Sequence, residues 1–600
     1  MIVLTTLPFW GHFTPSLGPP LLKAYLTEQG YRSKLLDINV HAFVVRGEKY
    51  ATKWDLSNGW ELSDEAIIEY YNDNLPLFEH YRRQIVSMNP KVVGFTTYYT
   101  SLGVTKIFAA LLKESLPDAK IIFGGPSVAK FMGNTRELLD SGYVDAVCIG
   151  EGEKALIYFV QEVESNHLTA GTPIPGIAYK KDGKVIEAPI EYIKRLDDLP
   201  FPDYSDYDLE LYSNPSQIPS YVSRGCPNQC FYCTERNFFE GLRVRSAKRV
   251  MEEFEHIRRT LPKVNYVRFF DSISNAKTSM LEEFCDLKIA SNNRLKFNLE
   301  NAVIRKEMRL PLYTKLKKAG CTLLGYGLET SSQDLLKSVG KLLALGVDIP
   351  AVLTEGRQAG LYVSVNIMFG IPGETDVHFD KMVDFLTRNR ESLSGINPAV
   401  NFCVFYPGSY VAQDPGKYSV DLSNGPNFWA TVKGDNSYPI RMERFEKFLR
   451  IAKVLKLDNL IGTDTLPNKH ALLFEYYLTI NDRESALAVY SKIESGFLTP
   501  NLVRAHRALQ GELVIEPEVR LEDFCRADRW PAQLTPGRME WMVVNFNQNS
   551  SGIFIAGREK QAKPLLALLR KIASRTLRYP SNRKRRQAGQ SLLNEIAGNT

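Results

Sequence analysis

Through residues 1–440, short continuous apolar runs alternate with segments whose apolar positions recur at helical spacing. In residues 1–160 the runs are MIVLTTL, RSKLLDINV, KVVGFTTYYT, AKIIFGGPSV and VDAVCIGEGE. PSLGPPLLKAYLTEQG, GVTKIFAALLKESLP, MGNTRELLDSG and KALIYFVQEVE predict helices, the first stopped by Gly30. Strands that are apolar throughout and separated by single helices predict a parallel sheet covered on both faces. In such sheets ligands sit at the carboxyl ends of the strands. Those ends carry Thr96 and Thr97, Gly124-Gly125-Pro126, and Gly150-Glu151-Gly152-Glu153.

Residues 192–212, YIKRLDDLPFPDYSDYDLELY, hold turn clusters and little periodicity, and predict a connector. The alternation restarts at 217. IPSYVSRGC, NYVRFFDS, KFNLENAV, CTLLGYGLE and YVSVNIMFGIPGET read as strands, each followed by a helix, and NPAVNFCVFYPGS closes the series. Six such units predict an open, partial barrel rather than the closed barrel of eight. From 441, RMERFEKFLRIAKVLKL, NKHALLFEYYLTI and RESALAVYSKIE are amphipathic. The expected division is therefore an α/β domain at 1–191, a connector at 192–212, a partial barrel at 213–440 and a mainly helical domain at 441–600.

A chain of 600 residues exceeds one hydrophobic core. Its net charge of +6 gives no global field toward nucleic acid. The N-terminus lacks the basic region of a signal peptide, and no run of apolar residues is long enough to span a membrane. Cys148, Cys285, Cys321, Cys403 and Cys525 stand singly in the chain, as buried thiols do in a reducing compartment, so a cytoplasmic location is expected. Arg570 to Arg586 holds eight basic residues and no acidic one, which is either a solvated tail or a contact for an acidic partner.

The other three cysteines lie in SRGCPNQCFYCTE as Cys226, Cys230 and Cys233. The stretch is too polar and proline-broken for a core. An odd count in a reducing compartment argues against a disulfide, and no close fourth ligand completes a zinc site. Three thiolates on one loop can hold three irons of a cubane and leave the fourth open to a chelating small molecule.

CPNQCFYC, on the loop after the first strand of a six-unit barrel, resembles the radical S-adenosylmethionine family. The resemblance implies a 4Fe–4S cluster on Cys226, Cys230 and Cys233, with S-adenosylmethionine chelating the open iron and yielding a 5′-deoxyadenosyl radical on reduction. It places Tyr232 beside the adenine. AGCTLLGYGLETSSQDLL and NIMFGIPGET resemble the family's fourth and fifth strands, which implies ligand contacts at Glu329, Gly370 and Gly373. Asp271 and Asn301, at the ends of the second and third strands, are expected near the ligand's amino group and ribose. FFDSIS departs from the usual paired acids there. The plainer readings are a helix cap for Glu329 and a turn glycine for Gly373.

VVGFTTYYTSL, IIFGGPSV and AVCIGEGE, in that order, resemble the cobalamin-binding domain attached to many radical enzymes. This implies cobalamin contacts from Thr96, Thr97, Ser101, Gly124, Gly125, Gly150, Glu151 and Gly152. WGHFTP lacks the Asp and Gly of D-x-H-x-x-G, so His12 is not expected on cobalt. Together the two likenesses imply a methyl group passed from S-adenosylmethionine through cobalamin to a substrate radical, hence a C-methyltransferase. The substrate would be a small molecule, peptide or lipid, and the reductant a flavodoxin or ferredoxin. No separate catalytic acid or base is expected. Cyclisation or rearrangement without methyl transfer is the alternative, and a non-catalytic cobalamin carrier or sensor a third reading. The methylthiotransferases acting on transfer RNA share the barrel but need three further N-terminal cysteines, where only Cys148 occurs.

Overall fold

The computed structural model describes residues 1–50, 53–54, 64–166, 168, 171–398, 402–461, 466–493 and 500–510. The basic stretch at 570–586 and Cys525 lie outside them.

Strands β1 (Ile2–Thr6), β2 (Ser33–Asp37), β3 (Val92–Thr96), β4 (Lys120–Gly124) and β5 (Ala146–Cys148) form a parallel sheet in the order β2-β1-β3-β4-β5. Val93, Phe95, Ile121 and Phe123 lie buried within it. β2 ends earlier than its apolar run predicts. The Asp37 carboxylate accepts the Val40 amide at 3.0 Å and turns Ile38–Val45 into a helix. An antiparallel hairpin, β6 (Ile177–Lys181) and β7 (Lys184–Glu187), extends the sheet. Ile177, Ala178 and Tyr179 of β6 are buried, but β7 is solvated, with Lys184 and Glu187 exposed, so only three apolar residues mark the hairpin in the sequence.

The connector is strapped down rather than free. Leu196, Leu199, Tyr204 and Tyr212 are buried. Lys23 lies 3.1 Å from Asp203 and 2.9 Å from Asp206, and the Tyr212 hydroxyl donates to the buried Asp37 carboxylate. On the barrel side, the Ser246 amide donates to Asp197 at 2.9 Å and Arg249 to the Leu199 carbonyl at 2.7 Å.

The second sheet has six parallel strands, β8 (Gln217–Ser220), β11 (Tyr266–Phe269), β12 (Lys296–Ala302), β13 (Cys321–Glu329), β14 (Tyr362–Ile367) and β15 (Gly395–Pro398), in simple sequential order. This is the open partial barrel that the alternation predicts. Its outer face packs on the helices through Phe254, Phe269, Phe284 and Phe297. The run IPSYVSRGC is not one strand. Asp271 accepts the amides of Val222 and Ser223 and draws the chain out of the sheet. There β9 (Ser223–Arg224) pairs with β10 (Arg243–Val244).

The C-terminal helices begin at Tyr438 rather than 441 and run through Tyr438–Val454, Leu466–Thr479, Arg483–Tyr490 and Pro500–Leu509. They share the barrel's core. The rings of Phe445 and Phe448 pack edge-on and tilted against that of Phe369, with centroids 5.6 and 5.4 Å away. The separate domain expected from 441 is, over its described part, a continuation of the barrel. Among the described residues no helix is long and apolar enough to cross a membrane.

Candidate cofactor and active site

The cysteine loop leaves β9 through Gly225, at φ +80°, where any side chain would strike the Gly241 carbonyl. It is then stitched to the end of the helix Gln333–Val339. The Gln229 amide donates to the Gly340 carbonyl at 2.8 Å, and the Phe231 amide to the Val339 carbonyl at 3.0 Å. The Leu343 amide donates to the Asn228 side chain at 3.1 Å, which leaves Asn228 buried. The backbone between the cysteines therefore has a fixed seat, and the thiols form no disulfide.

Cys226, Cys230 and Cys233 are free and half-buried. Burial raises the Cys226 thiol and pushes Cys230 up to about 11 and Cys233 up to about 12. Iron binding would have to displace those protons. Among the described residues, no group of three or more His, Cys, Asp or Glu side chains converges as around a single ion. A cubane asks for something else, because each thiolate binds a different iron and the sulfurs stand further apart. Three free thiols with no fourth protein ligand fit such a cluster with one open iron.

Tyr232 packs in one apolar cluster with Phe231, Met368, Ile371, Phe405 and Trp429. The fold thus brings the residue expected at the adenine to the NIMFGIPGET segment, some 140 positions later. That segment is clamped from behind. The Gly370 amide donates to Glu374 at 2.8 Å, and Arg444 pairs with the same carboxylate at 3.3 Å. Buried Arg441 occupies the space a side chain at Gly370 would need, with its guanidinium 4.1 Å from the Trp429 ring. Gly373, at φ +86°, has open space around it.

Glu329 does not cap the helix after it. Its carboxylate lies 2.6 Å from Lys341 Nζ, and both side chains are nearly buried. Asp271, expected at the ligand's amino group, uses one carboxylate oxygen in the fold, and its buried Oδ2 has no protein partner. Its Oδ1 holds the Val222 and Ser223 amides, and burial pushes the acid up to about 7. Asn301 remains exposed at the barrel mouth, but its Nδ2 donates to the Asp271 carbonyl at 2.8 Å and ties two strand ends together.

At the N-terminal sheet, several expected contacts turn inward. Thr97 donates both its amide and its hydroxyl to the Gly124 carbonyl, at 2.7 and 2.8 Å. The Ser101 hydroxyl accepts the Tyr98 amide at 2.9 Å. The Glu151 carboxylate is committed to Arg243 of β10, with Arg224 of β9 at 3.4 Å, and Glu153 pairs with Arg224 at 2.5 Å. The Thr97, Ser101 and Glu151 side chains, expected at the cobalamin, each already have a protein partner. Gly150 and Gly152 face Ile190 and Leu22. Gly125, at φ +98°, lies against the Thr97 backbone. Thr96 ends β3, and Gly124 beside it is open, a Cβ there meeting nothing nearer than Cys148 at 3.5 Å. The buried hydroxyls of Thr6 and Ser127, near the same edge, have no protein partner. An open glycine edge beside unpartnered hydroxyls fits a polar cofactor rim. His12 is held by the Ser213 hydroxyl at 2.6 Å and stacks on Phe43 at 3.9 Å.

Sequence reasoning missed Lys341, Arg224 and Arg243, because their carboxylate partners lie 12 to 92 positions away, and Arg441, whose bonds go to Asn436 and to the carbonyls of Asn427 and Trp429. Lys341 directly follows the helix-ending Gly340, and that is the one local hint it carried. Thr6 and Ser127 were legible as hydroxyls after the first and fourth strands and were passed over.

Comparison with known proteins places both halves. Residues 10–159 match the B12 binding domain and residues 220–386 the radical SAM superfamily. The anaerobic magnesium-protoporphyrin IX monomethyl ester cyclase of Rubrivivax gelatinosus is 28% identical over 49% of this chain and 53% of its own. This chain thus spans about half of that relative's length. An uncharacterized methyltransferase of Pyrococcus horikoshii is 26% identical over 54% of this chain and 70% of its own. Among solved structures, the radical S-adenosylmethionine methyltransferase TsrM from Kitasatospora setae has the same fold. Its TM-score is 0.55 at 16% identity, over 78% of this chain and 92% of that one. The matched domains bring a 4Fe–4S cluster, S-adenosylmethionine and cobalamin as cofactors. Since the two matches fall in this order on the two sheets built above, the chain belongs to the cobalamin-binding-domain-containing radical S-adenosylmethionine family.

Proposed function

We propose that this chain is a cobalamin-dependent C-methyltransferase acting on a carbon of a small-molecule biosynthetic substrate. One observation carries the reading. The stem of the cysteine loop, Arg224 and Arg243, is ion-paired to Glu151 and Glu153 at the ligand edge of the cobalamin-type sheet. The two cofactor seats therefore face one another across a buried contact.

When bound, the cluster supplies the electron that splits S-adenosylmethionine, and cobalamin supplies the methyl group. The chain's own work is positioning. Cys226, Cys230 and Cys233 hold three irons. Tyr232 and Met368 form an apolar wall for the adenine, and the clamped Gly370 keeps its amide plane in place. Gly373 and Asn301 are left at the mouth for the rest of the nucleoside. Thr96, Gly124 and the backbone at Gly125 and Gly152 offer the corrin a close approach. A low-potential flavodoxin or ferredoxin in the cytoplasm would supply the electron.

The cyclase relative favours a second reading, ring formation without methyl transfer. One anaerobic experiment separates the two. The protein is reconstituted with iron, sulfide and hydroxocobalamin, then given methyl-labelled S-adenosylmethionine and reductant. The methyltransferase reading expects label on the extracted corrinoid and 5′-deoxyadenosine together, with only the deoxyadenosine lost when the three cysteines become Ala. Deoxyadenosine without labelled corrinoid transfers the assignment to cyclisation or rearrangement. No cleavage at all leaves a carrier or sensor.

A further inference from the structure

We propose that Glu151 is a positioning residue for the cysteine loop, and that through it the loading of the two cofactor seats is coupled. The inference rests on the cofactor reading above and adds to it a cooperativity between cobalamin and cluster.

The geometry is a clasp. Arg224 and Arg243 stand opposite one another in the β9–β10 pair, so residues 225–242, which carry all three cysteines, leave and return between them. One carboxylate reaches both arginines. Glu151 takes Arg243 through both of its oxygens, with Nη1 at 3.0 Å from Oε2, and Arg224 Nη1 lies 3.4 Å from Oε1. Arg243 also donates to the Ile193 carbonyl at 2.5 Å, and Glu151 accepts the Ile193 amide at 3.3 Å, which fastens the connector to the same point. Glu151 is only 5% exposed. Buried ion pairs add little stability over apolar packing, and their best-attested use is to fix register. Here the register fixed is that of the two ends of the loop.

A second contact bears on the same loop from the neighbouring strand. Phe131, in the turn after β4, fills the space beside Gly408, where a Cβ would stand 2.5 Å from its ring. The Gly408 carbonyl in turn accepts Asn237 Nδ2, from the short helix Glu235–Phe238 inside the cysteine loop. Phe131 follows Gly124-Gly125, and Glu151 lies between Gly150 and Gly152. The segments that frame the open glycine edge are therefore the ones that hold the cysteine loop. A corrinoid settling on this edge orders both segments. A cluster that orders the loop presents those segments with their partners already in place. Each ligand then lowers the ordering cost met by the other, which is positive coupling and must be reciprocal.

The test is anaerobic equilibrium dialysis of hydroxocobalamin against the full chain, with and without its reconstituted cluster. The parent is expected to bind the corrinoid at least about fivefold more tightly when iron-loaded. Glu151→Gln keeps an acceptor for the Ile193 amide but loses the charge. It is expected to bring that ratio close to one while leaving the affinity of the iron-free chain near the parent. Phe131→Ala is expected to lower the ratio by a smaller factor. Lys154→Ala, which breaks only the solvated pair with Glu191, is expected to keep it. A parent ratio of one overturns the inference, as does a Glu151→Gln chain that keeps the parent ratio. Corrinoid binding weakened equally with and without iron in Glu151→Gln also overturns it, and makes Glu151 a ligand contact. If Glu151→Gln fails to fold, Phe131→Ala and Arg243→Lys decide by the same ratio, which both must lower. Iron, sulfide and corrinoid content read the cofactor assignment separately. A parent protein that takes up no cluster or no corrinoid fails there, before any ratio is measured.

Discussion

The two parallel sheets use the residues at their ligand edges in opposite ways. On the N-terminal sheet, Thr97, Ser101 and Glu151 have polar side chains that the fold itself consumes, in a carbonyl contact, a turn and an interdomain ion pair. On the barrel, the loop around Cys226, Cys230 and Cys233 is held through Gln229, Phe231 and Asn228, and the three thiols form no disulfide and no ion pair. Hydroxyls, carboxylates and glycines have ready structural uses, so finding them at a strand end says little about a ligand. A cluster of thiols has none in a reducing compartment.

Breaking the comparison at its strongest point gives the largest effect. Cys233→Ala should abolish the cluster's visible absorbance after reconstitution, yet move the unfolding free energy of the metal-free protein by no more than about 1 kcal/mol. A large loss of metal-free stability would mean the thiol has a structural task after all.

Next comes the latch. Arg224→Ala leaves the buried Glu153 carboxylate without its cation and should cost about 3–5 kcal/mol in denaturant unfolding. Arg224 now holds that carboxylate below its ordinary range even though burial pushes it up. Lys154→Ala removes a solvated pair with Glu191 and should cost no more than about 1 kcal/mol. Equal costs would show that the Glu151–Glu153 edge is not the anchor described.

Asp271 supplies a pH test on the barrel side. Its acid is raised to about 7 in the folded chain, above the ordinary carboxylate range. The folded state therefore binds a proton that the unfolded state releases. Stability should fall as pH climbs from the ordinary carboxylate range to about 7, by at most about 1.4 kcal/mol per unit. Asp271→Asn keeps an acceptor for the Val222 and Ser223 amides and should flatten that slope in thermal melts across the window.

The smallest effects sharpen the cobalamin edge. Gly125→Ala forces a Cβ to 2.6 Å from the Thr97 carbonyl oxygen at a positive φ and should cost about 1–3 kcal/mol. Gly124→Ala meets only ordinary contact and should leave stability near the parent while weakening hydroxocobalamin binding. If Gly124→Ala binds the corrinoid as well as the parent, the open edge is not its seat.

Much of the architecture was legible in the order of apolar runs. The six barrel strands and the parallel N-terminal sheet both follow from runs separated by single helices, since such runs can be buried only between two covering layers. The hairpin β6–β7 was not legible, because the buried apolar run of β6 is only three residues long and the edge strand β7 is solvated. The strand expected through Val40 stopped at Asp37 because a side chain outbid an apolar run for the Val40 amide.

By itself, the sequence determined the fold class and the cysteine spacing, because these depend on periodicity and local order, and the three cofactors followed from the family resemblance that those motifs carry. Only the tertiary structure decided which polar residues are left for a ligand. Glu151 and Glu329 look alike in the chain, each an acid at the carboxyl end of a strand. One is drawn to Arg243, 92 positions on, and the other to Lys341, 12 positions on beside the cysteine loop. A buried charge must find a partner, and which partner lies within reach is set by how the strands and helices pack.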